Sequence, residues 1–182
     1  MISFKKILFI SSLLFFSLSF LNSEEIPHGY KNITLGMSLQ ETKDNLVKDS
    51  DFGYHGDRDV SLIPNSSKTL IETDSEHGLG SNFLTHCWFQ FFNDELYIIT
   101  INLNPERIDY YSVFTTLCKK YGEPDSFDPK SATWKNEETT MSLEKPLTLK
   151  YIDNNLFEQT QNYSNIQASP TEITQEMFLN EL

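Results

Sequence analysis

The stretch from Phe83 to Gly122 constrains the fold of this chain more than any other part of it. It opens with two apolar runs, 83–92 and 96–103, on either side of a short Asn93-Asp94-Glu95 link. Asn and Asp tolerate the positive φ angles that tight hairpin loops need, so the stretch predicts a β-hairpin. Because so many of its side chains are large and apolar, we expect this hairpin to lie in the core.

Successive side chains of a strand point to opposite faces, so the hairpin should have two different surfaces. In the first strand, Cys87, Phe89 and Phe91 share one face, and Trp88 and Phe92 share the other. In the second strand, alternation assigns the most apolar face to Tyr97, Ile99, Ile101 and Leu103. One face is therefore expected to be core.

The second face has two interpretations. Trp88 and Phe92, together with Trp134 from a later strand, would form an aromatic patch for a protein partner if that face were uncovered. Leu96 and Ile98 point the same way and favour a second buried layer instead.

An amphipathic helix is predicted directly after the hairpin. Asn104-Pro105-Glu106 has the residue types of a helix start, and Gly122 those of a helix end. Between them, apolar residues recur at helical spacing: Tyr110, Val113, Phe114, Leu117, Cys118 and Tyr121. Packing this stripe on the hairpin should supply much of the folding free energy, at about 1.5–3 kcal/mol per large side chain.

Shorter helices and strands are predicted in the rest of the chain. Ser38 and Glu41 form a capping-box pattern for a helix that runs to about Lys48, with Leu39, Leu46 and Val47 facing inward. Short strands are expected at 60–63, 68–73, 132–135, 139–144 and 147–152. The predicted fold class is therefore α+β, an antiparallel sheet of hairpins and a meander covered by one main amphipathic helix and a shorter N-terminal helix.

The N-terminus predicts export. Lys5 and Lys6 precede an uncharged apolar run, 7–21, which ends at Asn22-Ser23. This is the organisation of a secretory signal peptide over residues 1–23, although an uncleaved anchor is the alternative. The first cysteine of the chain is Cys87, so no lipid-attachment cysteine lies near the cleavage region. We expect a periplasmic or secreted bacterial protein.

Charge and pattern divide the remaining chain. The formal net charge of −12 opposes binding to nucleic acid or to anionic lipid. Residues 24–153 are predicted to form one α+β domain, followed by a polar linker and a short C-terminal helix over 154–182. In that helix Ile173, Met177 and Phe178 share one side, which docks either on the domain or on a partner.

The two cysteines leave a choice. Cys87 lies on the apolar side of its strand, and Cys118 lies on the helix stripe expected to cover that sheet. A disulfide between them and two buried free thiols are equally compatible with the sequence.

One polar cluster is a candidate metal site. If strands 60–63 and 68–73 pair, the loop before the first and the loop after the second lie at the same end of the hairpin. The candidate ligands are His55, Asp57, Asp59, Asp74 and His77. Solvated loop side chains are the favoured interpretation. The chain has no glycine-rich phosphate loop, HExxH, CxxC or Gly-x-Ser-x-Gly motif, so neither a cofactor nor a catalytic group is predicted.

Two motifs resemble those of small bacterial envelope modules. They are Gly36-Met37-Ser38 with Glu41, and Tyr121-Gly122-Glu123-Pro124 followed by Trp134. They resemble the small outer-membrane-assembly lipoproteins and the β-lactamase-inhibitor-protein-like fold. The resemblance implies two imperfect helix-plus-hairpin repeats, at 36–73 and 104–152, and a non-catalytic protein-binding role.

The sequence thus favours an exported, non-enzymatic binding or scaffold module with an envelope protein as its partner. A cell-wall or metal-assisted hydrolase and an inhibitor of a secreted enzyme are the alternatives.

Overall fold

A computed structural model describes residues 24–62, 67–75 and 81–166, with the side chains of 164–166 left out. These residues form an eight-stranded antiparallel sheet, a separate two-stranded hairpin and three α-helices. The α+β fold class predicted from the sequence is confirmed. The predicted signal segment 1–23 and the tail residues Ile173, Met177 and Phe178 lie outside the described residues.

The elements follow one another along the chain as hairpin, helix, sheet half, helix, sheet half and helix. The strands are β1 (Gly29–Tyr30), β2 (Ile33–Thr34), β3 (Val60–Leu62), β4 (Lys68–Asp74), β5 (Leu84–Phe92), β6 (Glu95–Leu103), β7 (Ser126–Phe127), β8 (Ser131–Lys135), β9 (Thr139–Glu144) and β10 (Thr148–Asp153). The helices are α1 (Leu39–Leu46), α2 (Tyr110–Tyr121) and α3 (Asn154–Ile166).

Two meanders build the large sheet, whose strand order is β3-β4-β5-β6-β10-β9-β8-β7. The first meander runs from β3 to β6. The chain then passes through α2 to the far edge and returns strand by strand until β10 pairs with β6. Because β10 closes on β6 in the middle, the two halves share one continuous core.

The turn between β5 and β6 has the geometry that its residues predict. Asn93 and Asp94 have φ angles of 50° and 69°, which are uncommon for residues other than glycine but tolerated by Asn and Asp. Phe92 pairs directly with Glu95, so the loop consists of Asn93 and Asp94.

Strict alternation fails just after this turn, and one assignment to the core was therefore wrong. Gln90 pairs with Ile98 but Phe91 pairs with Leu96, so Tyr97 is an extra residue in a β-bulge. The bulge turns Leu96 into the main core and places Tyr97 on the opposite face with Phe92.

The main core lies on one face of the sheet. Cys87, Phe89, Phe91, Ile99 and Ile101 on β5 and β6 are fully buried there. The ring of Phe52, from a 3₁₀ turn after α1, packs edge-on against Phe89 at 5.8 Å between centroids. Trp134 is also buried in this core, so it does not share a face with Trp88 and Phe92 as the sequence suggested.

Helix α2 begins later than predicted and covers a different part of the sheet. Asp109 caps it by accepting from the Ser112 amide, whereas Asn104 accepts from the Glu106 amide and closes a separate turn. The Phe114 ring packs on the rings of Trp134 and Phe127, from β8 and β7, rather than over the β5–β6 hairpin. Leu117 is buried as predicted.

Helix α1 confirms the predicted capping box. Ser38 accepts from the Glu41 amide, and the Glu41 carboxylate accepts from the Ser38 amide. Leu46 is buried as expected. Val47 is the C-cap and keeps helical φ and ψ angles, so its side chain is rotated by about 100° from that of buried Leu46. It is 71% exposed, and its inward assignment was wrong.

Helix α3 replaces the first part of the predicted linker. The helix continues through Ile166, where the sequence indicated an irregular polar segment from Gln161. Tyr163 packs edge-on against Phe92 at 5.3 Å, in a second cluster with Tyr97 and Ile98. One end of the second face is therefore a buried layer, while Trp88 farther along β5 stays half-buried.

The described part of the chain contains no helix with the length and apolar character that a membrane span requires.

We expect Tyr163→Ala to lower the free energy of unfolding by about 2 kcal/mol, because it removes the ring that covers Phe92. Phe157→Ala is the matched control on the same helix, since Phe157 is 36% exposed and lies outside that cluster. Phe157→Ala should lower the free energy of unfolding by about 0.5 kcal/mol. Urea unfolding measures both values, and equal losses would contradict the packing of α3 on this face.

Candidate binding cleft

A cleft of about 370 Å³ lies between the β1–β2 hairpin and α2. Leu84, Leu103 and Leu149 line it from β5, β6 and β10. The residues that complete the lining are Tyr30, Lys31, Asp51, Ser81, Phe83, Ile108, Val113, Thr116 and Leu117. Most of these side chains are apolar, so the cleft is suited to an apolar group.

Local backbone geometry places the wall opposite α2. A side chain on Gly29 would bring its Cβ within 2.2 Å of the Ile33 carbonyl oxygen, so the close approach of β1 to β2 requires glycine there. Lys31 follows in a left-handed conformation, with φ of 54°. This tight hairpin brings Tyr30 and Lys31 to the edge of the cleft.

An ion cluster stands at this edge. The Lys31 ammonium donates to the Asp51 carboxylate at 2.5 Å and to the Asp49 carboxylate at 3.0 Å. The other oxygen of Asp51 accepts from the Ser81 amide at 2.6 Å. The hydrogen bond from Lys31, followed by that from Ser81, lowers the pKa of Asp51 to about 2. Two carboxylates therefore face one ammonium, and the cluster carries a surplus negative charge.

The chemistry of this arrangement suits binding. Burial raises the pKa of the Tyr30 hydroxyl, so the phenol stays protonated at neutral pH. Asp51 is ionised and accepts hydrogen bonds from the Lys31 ammonium and the Ser81 amide. Neither group is prepared to accept a proton from a ligand.

The structure brings two of the candidate metal ligands together, His55 and Asp59, and gives Asp57 and Asp74 other partners. The His55 ring lies 3.5 Å from Asp59, Asp57 pairs with Lys43 at 2.8 Å, and Asp74 lies 4.0 Å from His86. His77 lies outside the described residues. Within the described ranges, no group of three or more His, Cys, Asp or Glu residues is placed to hold a metal ion.

Both cysteines are free thiols in the structure. Cys87 is fully buried in the main core, whereas Cys118 is half-buried on α2. Burial raises the pKa of the Cys87 thiol to about 12, so the reactive thiolate is scarce at neutral pH. Cys87 is therefore part of the packing.

One arrangement looks like a catalytic triad. His28 Nδ1 lies 2.5 Å from the Thr139 hydroxyl, and His28 Nε2 lies 3.4 Å from the Asp153 carboxylate. Thr139 is only 1% exposed, so a substrate carbonyl cannot reach its oxygen. These contacts tie the N-terminal segment to the ends of β9 and β10.

The predicted aromatic patch is reduced to one side chain. Phe92 is covered by α3, and Trp88 stacks on the His86 ring at 5.9 Å between centroids. The cross-strand neighbours of Trp88 are Glu72 and Thr100. A half-buried tryptophan among polar neighbours is a much smaller apolar surface than the patch that the sequence suggested.

The cleft was not predicted from the sequence. Lys31, Asp51, Leu103 and Leu149 are far apart along the chain, and no local pattern links them. Lys31 is separated from Asp49 and Asp51 by helix α1, so the ion cluster at the cleft edge also left no local signal in the sequence.

Comparison with known families gave one result. Residues 28–163 match the TP0088 domain. The chain belongs to the TP0088 domain family. The matched range includes every residue that lines the cleft, and it extends through Tyr163, which α3 places over the second face. Searches of curated proteins and of solved structures returned no match.

The ion cluster predicts a defined acid response for this TP0088 domain. A carboxyl with a lowered folded-state pKa stabilises the fold above its unfolded pKa of about 4. That contribution is lost as the pH falls towards the folded value of about 2. We expect the melting temperature of the wild type to exceed that of Asp51→Asn near neutral pH, and the gap to narrow between about pH 4 and pH 2. Thermal melts across this range measure the gap, and a gap independent of pH would contradict the lowered pKa.

Proposed function

We propose that this TP0088 domain is an exported, non-enzymatic protein-binding module of the bacterial cell envelope. The cleft between the β1–β2 hairpin and α2 is its binding site. The observation that carries the proposal is the apolar lining, which includes Leu103, Leu117 and Leu149 beneath a polar edge. Pockets of this character, apolar with a few placed polar groups, are typical of binding sites.

The chemistry of the described residues favours binding over catalysis. The Cys87 thiol is buried and protonated, and the Thr139 hydroxyl beside His28 is enclosed. Among the described residues of the lining, Lys31 and Asp51 are paired with each other, and the second oxygen of Asp51 accepts from the Ser81 amide. Inhibition of a secreted enzyme would be one form of the same binding function.

The envelope location rests on the N-terminal sequence. Lys5 and Lys6 followed by the apolar run 7–21 predict export, and the acidic chain opposes binding to phosphate-rich surfaces. A protein partner is accordingly the favoured class of ligand.

Site-specific photo-cross-linking in the native bacterium tests this proposal. Phe83 lines the cleft and is 46% exposed, so a benzoylphenylalanine in its place would sit at the edge of the site. We expect ultraviolet light to produce a discrete protein adduct. Thr116→Trp should abolish most of it, because Thr116 lines the cleft and tryptophan would fill it.

Thr115→Trp is the matched control. Both threonines lie on α2 and donate to a carbonyl one turn earlier, Thr115 to Tyr111 at 2.9 Å and Thr116 to Ser112 at 2.7 Å. Thr115 does not line the cleft. An adduct of equal intensity in the two variants, or no adduct at all, would count against the proposed site.

A further inference from the structure

We propose that the cleft binds a neutral or basic peptide segment of its partner, with a large apolar side chain inside and a backbone carbonyl that accepts a hydrogen bond from Lys31. This inference rests on the proposed function, since it specifies what the protein partner presents. It is carried by the size of the cleft, by the donors left on Lys31 and by the charge at the edge.

The size of the cleft limits the occupant. A volume of about 370 Å³ lies near the lower end of ligand pockets, which hold about 300–1,000 Å³. It suits one or two large apolar side chains. The floor of Leu84, Leu103 and Leu149 offers them aliphatic contacts.

Lys31 determines the polar group that fits beside them. A lysine ammonium has three N–H donors, and Asp49 and Asp51 each accept one. Within the described ranges, no hydrogen bond uses the third. The Phe52 ring lies 5.6 Å away, at the distance of a cation–π contact. A ligand acceptor at the cleft therefore has a donor available.

The charge at the edge selects among acceptors. Asp49 and Asp51 outweigh Lys31 by one formal negative charge at neutral pH. A ligand carboxylate would be repelled, whereas a neutral peptide carbonyl would not.

The surroundings extend the same preference. The residues around Ile108, which lines the cleft, are Glu106, Arg107 and Asp109, with a formal surplus of one negative charge, and the chain as a whole has a formal net charge of −12. Basic residues on either side of the apolar anchor would therefore speed association and stabilise the complex.

Four probes test the inference by isothermal titration against the mature chain, residues 24–182. Three are short peptides with acetylated and amidated ends: a Leu-Phe pair between lysines, the same pair between glutamates, and a Ser-Ser pair between lysines. The fourth is decanamide, which offers an acyl chain and a carbonyl without a peptide. We expect the basic Leu-Phe peptide to bind at least about tenfold more tightly than each of the others.

Protein variants then locate the binding. Thr116→Trp should weaken binding of the basic Leu-Phe peptide at least about tenfold, and Thr115→Trp should weaken it less than about twofold. Lys31→Met should weaken it about tenfold because the donor is lost. Lys43→Met is the matched control. Lys43 forms an ion pair with Asp57, with 2.8 Å between Nζ and Oδ1, and neither residue lines the cleft. Melting temperatures show whether each variant is folded. If Lys31→Met does not fold, the comparison of Thr116→Trp with Thr115→Trp still shows whether the peptide binds in the cleft.

Several results would overturn the inference. Equal binding of the acidic peptide would contradict the charge argument, and tighter binding of decanamide would assign the cleft to an acyl chain. Binding unaffected by Thr116→Trp would place the peptide elsewhere, and failure of all four probes at millimolar concentration would also reject it. Photo-cross-linking at Phe83 is independent of these probes, so a retained adduct would show that the proposed function survives with a different recognition chemistry.

Discussion

The packing of apolar side chains on one face of β5 and β6 is the interaction on which the rest of the structure depends. Phe89, Phe91, Ile99 and Ile101 are fully buried there. The two strands have β4 on one side and β10 on the other, so both halves of the sheet share this face. Removing four such side chains from water would supply roughly 6–12 kcal/mol before the entropic cost of folding is counted.

The elements that cover this face also create the cleft. Phe52 and the β1–β2 hairpin cover the region of Phe89, while Phe114 of α2 packs towards β7 and β8. The two covers do not meet over Leu84, Leu103 and Leu149, which remain as the floor of the cleft. The gap arises because Phe114 of α2 packs towards β7 and β8, whereas Tyr30 and Phe52 pack towards Tyr151 of β10 and Phe89 of β5.

Local features of the fold could be predicted from the sequence, since their causes lie within a few residues. The Asn93-Asp94 turn, the capping box at Ser38 and Glu41, and the burial of Leu117 are of this kind. The start of α2 was predicted wrongly, at Asn104, because Asn104 and Asp109 are both residue types that cap helices. The structure uses Asp109 for the helix and Asn104 for the preceding turn.

The predictions from the sequence were wrong where contacts between distant parts of the chain determine which side chains are buried. The bulge at Tyr97 reverses the alternation, and only the pairing with β5 shows it. The polar composition of α3 concealed a usable signal, the spacing of Leu156, Thr160 and Tyr163 along one side. The cleft could not be predicted, because residues from separate parts of the chain form it.

An accessible apolar space separates α2 from the β1–β2 hairpin, and the proposed binding role depends on it. A crystal structure of residues 24–182 under xenon pressure tests it most directly, because xenon occupies apolar cavities. We expect a xenon atom in contact with Leu103, Leu117 and Leu149. Direct packing of α2 against the hairpin, with these leucines closed to xenon, would contradict it.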